Sequence, residues 1–384
     1  MERNGLSLKT VIAPDSFKES MSAPSVAAAV ERGILKVDKN TETIKVPLAD
    51  GGEGTMEALV DSLDGTFMTH TVTGPLGEKI QARYGLIEQE MAVMDIAEVV
   101  GFHLIPKEKR NPLHTTTYGI GELILHALDQ GVSKFIIGLG GSGTNDGGIG
   151  MAQALGAEIT DKDGNDVPFG GEGLSKIHRI SMTQMDERLG ACTFNIACDV
   201  KNPLTGPKGA SYTYGPQKGA DPEMVSLLDV GMKNYEEILK RDIRVDVSQI
   251  EGAGAAGGLG TACIAFLNGK MRPGIELVTE VTNLEAHIKD ADLVITGEGK
   301  IDDQTLYGKT PVGVAAIAKK YGVPVIVITG ANHVTSSKIY ETGINAIFSI
   351  TDGPIGLDEA MERGEQLTEK LAENIIRFYM KCRK

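Results

Sequence analysis

Apolar runs alternate with amphipathic segments at both ends of this chain. Near the N-terminus, residues 10–14 and 44–49 read as strands, and each is followed by a segment with the apolar spacing of a helix. The same order returns later, where the predicted elements are strand 291–297, helix 310–322, strands 323–330 and 346–351, and a final helix over 356–381. Strands that alternate with helices predict a parallel sheet.

The middle of the chain has a different pattern. Between residues 66 and 97, short alternating runs separated by turn residues predict an antiparallel meander. The predicted elements after it are helix 118–131, strand 134–140, helix 149–157, a polar loop or hairpin over 161–173, strand 194–199 and helix 221–241.

The two ends therefore resemble each other more than either resembles the middle. This predicts an α/β protein with two α/β domains. A discontinuous, flavodoxin-like parallel-sheet domain comprises residues 1–68 plus 285–384, and a mixed-sheet domain with glycine-rich loops, residues 69–284, is inserted into it. The alternative is two sequential domains divided near residue 130.

Five of the strand-like runs break at an acidic residue. These residues are Asp15, Asp50, Asp95, Asp199 and Glu298. Burying a carboxylate inside a strand is costly, whereas the carboxyl ends of parallel strands open into the crevice where α/β sheets bind ligands. Carboxylates that converge there suggest a divalent metal, a general base and polar substrate contacts. The pattern predicts an enzyme that acts on a small hydroxylated or phosphorylated molecule.

Composition excludes several other classes of function. Lys and Arg total 38 against 52 Asp and Glu, a net charge of −14, which disfavours nucleic acid or an anionic membrane as a partner. Tryptophan is absent and aromatic residues make up 5%, so a base-stacking platform is not expected. The four cysteines show no C-x-x-C spacing, and no apolar run is long enough to span a bilayer. We expect reduced thiols in a cytoplasmic protein.

Two glycine-rich segments could approach phosphate through their backbone. Residues 138–150 carry seven glycines between a predicted strand and helix, and residues 252–260 carry a second cluster. Both match the dinucleotide-binding pattern G-x-G-x-x-G, which glycine-rich sequence produces easily. For the second cluster, tight packing between a helix and a sheet is the alternative. The sequence Gly308-Lys309-Thr310 ends like a P-loop, but no complete P-loop pattern occurs in the chain.

Charged clusters follow several of the predicted strands. Asp15 and Ser16 are followed by Lys18, and Asp50 begins the segment Asp50-Gly51-Gly52-Glu53-Gly54. Acids, a hydroxyl and a lysine at a strand end can bind a hydroxy acid or a phosphate. Asp199 is followed by Lys201 and Lys208, and Glu298 by Lys300 and Asp302, combinations that suit a cation together with a phosphate. The alternative is an Asx-type turn with a solvated lysine for the first cluster and a helix cap with a first-turn acid for the second. For Lys201 or Lys208 alone, it is a solvated surface role.

These segments together resemble the glycerate kinase family, of the bacterial type 1 kind. The resemblance runs over essentially the whole chain and rests on seven strings in this order: IAPDSFKESMSA, PLADGGEGT, GLGGSGTNDGGIGMAQALG, ACDVKNPLTGPKGAS, GAGAAGGLG, MRPGIELV and LVITGEGKIDDQTLYGKTP. It implies phosphorylation of D-glycerate by ATP with Mg²⁺, in a cleft between two α/β domains and without a P-loop. The implied product is 2-phosphoglycerate, with 3-phosphoglycerate as the alternative.

The resemblance and the strand-end placement together suggest roles for individual residues. Asp199 is the first choice for general base or metal ligand, with Asp50 and Glu298 as competitors, and Lys18 and Lys208 would neutralise the glycerate carboxylate or the transferring phosphoryl group. The remaining predicted substrate-binding residues are Asp15, Ser16, Gly51, Gly52, Gly140, Gly141, Ser142, Asn145 and Asp146. The predicted nucleotide-binding residues are Gly254, Gly257, Gly258, Glu298, Lys300 and Asp302, and the predicted metal ligands are Asp199 and Glu298.

Two other functions stay open at this point. An NAD-dependent dehydrogenase of a small hydroxy acid would use Gly138–Gly143, but it needs an acid at the end of a second strand about 20 residues on. Asp161 and Asp163 lie instead in the predicted polar loop. A non-catalytic protein that binds a sugar acid is the second alternative. The expected partners are D-glycerate and ATP, and the chain is expected to be a monomer or a homodimer.

Overall fold

The computed structural model describes residues 7–52 and 54–382, so Glu53 and the two termini lie outside the described residues. The chain divides into two compact units. The first comprises Met1–Asp50, Glu57–Asp64 and Ile275–Lys384, and the second comprises Gly51–Met56 and Gly65–Gly274. That these units are independent domains, with boundaries near residues 68 and 285, stays a prediction.

Within the described residues there are thirteen strands and fourteen α-helices. The strands are β1 (Lys9–Pro14), β2 (Glu42–Lys45), β3 (Thr66–Thr73), β4 (Lys79–Ile87), β5 (Met91–Asp95), β6 (Lys134–Gly138), β7 (Glu158–Thr160), β8 (Arg179–Ser181), β9 (Thr193–Ala197), β10 (Lys270–Arg272), β11 (Leu293–Ile301), β12 (Val325–Asn332) and β13 (Ile344–Ser349). The helices are α1 (Ala23–Val37), α2 (Thr55–Ser62), α3 (Ala97–Val100), α4 (Tyr118–Asp129), α5 (Ile149–Ala154), α6 (Ala210–Tyr214), α7 (Pro222–Ile238), α8 (Ala255–Leu267), α9 (Gly274–Val281), α10 (Leu284–Lys289), α11 (Thr310–Tyr321), α12 (Lys338–Glu341), α13 (Leu357–Glu362) and α14 (Gly364–Cys382). None of the helices in the described part of the chain has the length and apolar character that a membrane span requires.

The first unit is built on a five-stranded parallel sheet with the order β13-β12-β11-β1-β2. Counted along the chain, this is the order 2-1-3-4-5 of flavodoxin-like sheets, whose ligands bind where the strand order reverses, between the first and third strands. Here those strands are β1 and β11. The side chains of Val11, Ile12 and Ala13 are fully buried, as expected for a strand covered on both faces.

The strand predicted over 291–297 continues as β11 to Ile301, so Glu298 lies within this strand and not at its end. Two further predicted boundaries in this unit are also wrong. The strand predicted over 44–49 ends at Lys45, because Pro47 has no N–H to donate to the sheet. The backbone N–H groups of Val46 and Leu48 still donate to carbonyl oxygens of β1. The predicted final helix is two helices, α13 and α14, which are separated at Arg363, immediately before Gly364, a residue that disfavours a helix interior.

The second unit contains a six-stranded mixed sheet with the order β10-β9-β6-β5-β4-β3. Strands β3, β4 and β5 are antiparallel, as the alternating pattern predicts, whereas β5, β6, β9 and β10 run parallel. The pairing places Asp95 opposite Gly138 and Gly138 opposite Ala197. The carboxyl ends of β5, β6 and β9 therefore lie side by side. The predicted α/β fold class is confirmed.

The second glycine cluster forms a turn that packs against the first. Ala256, Gly257 and Gly258 at the start of α8 have positive φ, and the carbonyl oxygen of Gly257 accepts a hydrogen bond of 3.0 Å from Gly147 N–H. A Cβ on Gly257 would lie 2.1 Å from the carbonyl oxygen of Thr144. Only glycine can occupy this position without displacing the neighbouring loop.

We expect Gly257→Ala to lower the free energy of unfolding by about 2–5 kcal/mol, the sum of a strained φ of +69° and overpacking against backbone. Gly164→Ala is the matched control, because Gly164 also has a positive φ, +82°, but a Cβ there would meet no atom within 4 Å. Urea denaturation of both variants measures the difference. Equal losses would show that backbone strain alone, and not the close approach, governs this position.

Candidate active site

Six of the predicted site residues line one cavity of about 530 Å³ in the first unit. These residues are Asp15, Ser16, Lys18, Asp50, Glu298 and Lys300. The register of the sheet explains part of this grouping, because Pro14 pairs with Gly297 and the backbone N–H of Asp15 donates to the Gly297 carbonyl oxygen at 2.8 Å. Asp15, which follows β1, and Glu298, which lies within β11, are therefore on neighbouring strands at the point where the strand order reverses.

Asp15 is the most perturbed of these acids. Its carboxylate is buried and accepts hydrogen bonds from Thr310 Oγ1 at 2.7 Å and from Ser16 N–H at 2.6 Å. Burial, and then the negative charge of Asp50, raises the pKa of Asp15 to about 6, against the opposing effect of the two hydrogen bonds. A carboxyl group with a pKa near neutrality in a cavity is characteristic of functional sites.

Glu298 is held by two residues that the sequence analysis did not propose. Thr305 Oγ1 donates to Glu298 Oε1 at 2.6 Å, and Lys309 Nζ lies 3.4 Å from Oε2. Burial raises the pKa of Glu298, while the hydrogen bond from Thr305 and the charge of Lys309 oppose that shift. Lys309 also lines the cavity. Lys309 belongs to the string Gly308-Lys309-Thr310, which the sequence pattern identifies only as an incomplete P-loop. In the structure this string marks the start of α11.

Asp302 does not share the cavity of Glu298 and Lys300, with which the sequence analysis grouped it. Its side chain accepts a hydrogen bond from the backbone N–H of Gln304 at 3.0 Å and caps the short 3-10 helix Asp303–Tyr307. It also pairs with Lys300 at 3.0 Å. Asp302 is not among the residues that line the cavity. The cap accounts for this aspartate in the structure, and its part in nucleotide binding stays a prediction.

In the second unit, Asp199 lies two residues beyond the end of β9 and is exposed to solvent. Its Oδ1 accepts a hydrogen bond of 3.0 Å from the backbone N–H of Gly274. Gly51 lies against the same residue, since a Cβ on Gly51 would be 2.7 Å from Gly274 Cα. The carbonyl oxygen of Gly52 accepts from Thr55 Oγ1 at 2.8 Å, which fixes the entry into α2. The structure thus brings Gly51 and Asp199 together.

Lys208 and Asp95 occupy contrasting environments in this unit. Lys208 is exposed, and its carbonyl oxygen accepts a hydrogen bond of 2.7 Å from Asn202 Nδ2. Asp95 is buried, and its Oδ2 accepts from the backbone N–H groups of Gly54 and Met56 at 3.0 and 3.3 Å. The strand-end acid Asp95 therefore holds the turn before α2, whereas the side chain of Lys208 is accessible to a ligand.

The first glycine-rich segment lines a second, smaller cavity of about 180 Å³. Gly140, Gly141 and Ser142 form part of its wall, and Lys218 reaches it from the turn after α6. Lys218 is 2% exposed, and its Nζ donates to Ser142 Oγ at 2.9 Å and to the carbonyl oxygen of Thr144 at 2.6 Å. Nothing in the local sequence around Lys218 marks it as a functional residue, and only the fold brings it to this cavity.

Asn145 and Asp146 are fully buried behind this segment. Asp146 Oδ2 accepts from the backbone N–H and the hydroxyl of Thr117, each at 2.8 Å, and Oδ1 accepts from Gly148 N–H at 3.0 Å. Burial raises the pKa of Asp146, and these hydrogen bonds oppose the shift. Asn145 Nδ2 donates to Ser211 Oγ at 3.0 Å. Neither residue lines the cavity, so their role in substrate binding stays a prediction.

The predicted nucleotide-binding glycines make close backbone contacts within the second unit. A Cβ on Gly254 would lie 2.1 Å from the Pro203 carbonyl oxygen, and one on Gly258 would lie 2.8 Å from Gly147 Cα. With Gly257, they show the tight packing that was the alternative for this segment. The dinucleotide pattern at Gly138–Gly143 also lacks its structural context, because α5 begins only at Ile149.

The acids of the larger cavity fit a divalent cation. Among the described residues, no group of three or more His, Cys, Asp or Glu side chains could hold a metal ion without further ligands. Mg²⁺ at nucleotide sites takes only one or two carboxylates and completes its shell with phosphate oxygens and water. Burial, and then repulsion from Asp50, raises the pKa of Asp15, and a bound cation would relieve that repulsion.

Comparison with known proteins identifies the family. The sequence profile of the glycerate kinase family matches residues 10–380. The chain belongs to the glycerate kinase family. It is 50% identical to a glycerate kinase from Halalkalibacterium halodurans over 95% of this chain and 96% of that protein. It is 49% identical to a glycerate 2-kinase from Escherichia coli over 92% and 93% of the two chains.

A solved structure gives the same result for the glycerate kinase fold. The crystal structure of a protein from Salmonella typhimurium LT2, described as glycerate kinase 2, is similar to this chain with a TM-score of 0.90. The two chains are 47% identical, and the match covers 98% of this chain and 99% of that one. The resemblance proposed from the sequence strings is therefore confirmed. Membership of this family disfavours the two alternative functions, a dehydrogenase and a non-catalytic binding protein, because these relatives are named as kinases.

Proposed function

We propose that this member of the glycerate kinase family catalyses the phosphorylation of an organic acid, D-glycerate, by ATP, and that the product is 2-phosphoglycerate. Attack by the other hydroxyl, which gives 3-phosphoglycerate, is the alternative. The observation that carries the proposal is the larger cavity, which is lined by three acids and three lysines: Asp15, Asp50 and Glu298 with Lys18, Lys300 and Lys309. Acids and lysines in one cavity can bind a metal–nucleotide complex and neutralise a transferring phosphoryl group.

The larger cavity is the proposed nucleotide site. Its volume of about 530 Å³ lies within the range of cavities that hold drug-sized ligands, roughly 300–1,000 Å³. Phe17, Ile350 and Met361 supply an apolar wall that suits a nucleobase, and the three lysines suit its phosphates. Gly254, Gly257, Gly258 and Asp302 remain part of this proposal on the family motifs alone.

Glu298 and Asp199 are the proposed Mg²⁺ ligands, and Asp15 and Asp50 supply further negative charge in the cavity of Glu298. When bound, Mg²⁺ would offset the charge of the phosphate oxygens. Asp199, exposed and held through Oδ1, is the proposed acceptor of the proton from the attacking hydroxyl, with Asp50 and Glu298 as competitors. Lys18 and Lys208, both exposed, would neutralise the glycerate carboxylate or the transferring phosphoryl group.

We expect the purified protein to convert D-glycerate and ATP to a phosphoglycerate and ADP only when Mg²⁺ is present. Phosphorus NMR of the product distinguishes the 2-phosphate from the 3-phosphate, and a coupled assay measures ADP release. EDTA should abolish turnover, and added Mg²⁺ should restore it. Binding of glycerate without ADP release would contradict the proposed reaction and support a binding protein instead.

The localisation and the oligomeric state of the enzyme are also proposals. Cys192, Cys198, Cys263 and Cys382 are free thiols, which fits a reducing compartment such as the cytoplasm. A monomer or a homodimer is expected, with no nucleic acid or membrane as a partner.

A further inference from the structure

Lys218 is a buried lysine without an anionic partner in contact. A lysine ammonium has three N–H donors, and the two acceptors it reaches, Ser142 Oγ and the Thr144 carbonyl oxygen, are both neutral. In the part of the chain that the structure describes, no carboxylate lies within ion-pair distance of it. Burial lowers the pKa of Lys218 to about 7, while the charge of Asp146 opposes that shift. Buried charges in proteins are usually paired, whereas this ammonium has no carboxylate in contact with it.

The cavity beside Lys218 presents further donors to an anion. Because Ser142 Oγ accepts from Lys218, its own hydroxyl proton is available to a ligand. Gly140 and Gly141 also line this space, and their backbone N–H groups have no acceptor among the described residues. A cation with several N–H and O–H donors around one small cavity is the arrangement that binds an oxyanion.

We propose that this cavity binds the carboxylate of D-glycerate, with Lys218 Nζ as its counter-charge and Ser142 Oγ and the Gly140 and Gly141 N–H groups as further donors. The proposal rests on the proposed kinase function and names a part of its substrate site. Two observations favour a carboxylate over a phosphate of the nucleotide. At about 180 Å³ the cavity is below the usual size of a nucleotide site, and one ammonium matches one carboxylate charge.

The direct test is calorimetric titration of D-glycerate into the full-length protein without ATP. Lys218→Met keeps the length and the burial of the side chain but removes its charge, and Lys162→Met is the matched control because Lys162 is an exposed lysine of the same unit. We expect Lys218→Met to weaken glycerate binding about 10- to 100-fold, the loss typical of a hydrogen bond to a charged group. Lys162→Met should bind glycerate as the wild type does.

A second measurement separates carboxylate recognition from damage to the fold. D-glyceramide has nearly the shape of D-glycerate but no charge, so the wild type should prefer glycerate and Lys218→Met should lose most of that preference. Equal weakening of both ligands would show a structural role for Lys218 and overturn the proposal. If Lys218→Met does not fold, Ser142→Ala replaces it; a smaller loss, about 3- to 10-fold, is then expected for glycerate and not for glyceramide.

The nucleotide provides the last comparison. The KM for ATP should change less than about threefold in Lys218→Met, and a rise in this KM with unchanged glycerate binding would assign the cavity to a phosphate instead. Failure of the proposed function gives a different result, because the wild type itself would then neither bind glycerate nor form a phosphoglycerate. If the wild type turns over glycerate and Lys218→Met binds it equally well, only the assignment of Lys218 fails.

Discussion

Asp15→Asn is expected to lower kcat/KM about 10²- to 10³-fold while it raises the free energy of unfolding by about 2–3 kcal/mol above pH 6. Asparagine keeps both hydrogen bonds, since its Oδ1 can accept from Ser16 N–H and its Nδ2 can donate to Thr310 Oγ1. It removes the buried charge and the repulsion from Asp50 that together raise the pKa of Asp15 to about 6. When a site holds a charge that serves function but destabilises the fold, removal of the charge makes the protein more stable.

The pH dependence of the free energy of unfolding shows why Asp15→Asn should be more stable than the wild type. The pKa of Asp15 is raised in the folded protein, so between about pH 4 and pH 6 the folded state holds a proton that the unfolded state has released. The stability of the wild type therefore falls across that window, and the cost is fully present above pH 6. In Asp15→Asn this contribution is absent, so the stability difference between the two proteins should grow from near zero at pH 4 to its full size above pH 6.

Urea denaturation from pH 4 to pH 8, in EDTA and without nucleotide, measures this difference. Asp303→Asn is a control of opposite sign, because hydrogen bonds from Thr335 and Ser336 lower the pKa of Asp303 and make its charged form stabilising. That variant should be less stable than the wild type at neutral pH. If Asp15→Asn loses stability and activity together, Asp15 has a structural role and the proposed functional one is wrong.

Asp199→Asn is expected to lower kcat about 10²- to 10⁴-fold with little change in stability. The proposed proton acceptor is lost, whereas asparagine Oδ1 can still accept the hydrogen bond from Gly274 N–H. Because Asp199 is exposed and the bond to Gly274 is kept, the free energy of unfolding should change by no more than about 0.5 kcal/mol. The KM for D-glycerate should stay within about threefold of the wild type.

Steady-state kinetics with rapid-quench measurement of the chemical step tests the role of Asp199. Asp163→Asn is the matched control, an exposed aspartate of the same unit that lies in the polar loop before β8. A kcat near that of the wild type in Asp199→Asn would exclude Asp199 as the base. Asp50 and Glu298 would then be the residues to replace next.

Much of the fold could be predicted because its signals are local. Apolar runs mark β1, β11 and β12, and alternating residues mark the antiparallel β3, β4 and β5. The errors also have local causes that pattern alone does not weigh. Pro47 ends β2 early, and the break before Gly364 divides what the apolar spacing presents as one continuous final helix.

The site could be predicted in part. Asp15, Asp50 and Glu298 share one cavity because they lie towards the carboxyl ends of the neighbouring parallel strands β1, β2 and β11. The same rule did not separate them from Asp95, whose carboxylate holds a backbone turn. Nor could sequence alone tell a phosphate loop from the tight packing seen at Gly257.

By itself the sequence determined the α/β class and, through its ordered motifs, the glycerate kinase family. Only the tertiary structure decided which acid is buried beside another and which lysine lacks a counter-charge. Burial shifts the pKa values of both Asp15 and Lys218. Neighbours distant along the chain modify these shifts, because the charge of Asp50 adds to the shift of Asp15 and that of Asp146 opposes the shift of Lys218. Desolvation and Coulomb interactions depend on distances in space, and sequence separation does not reveal them.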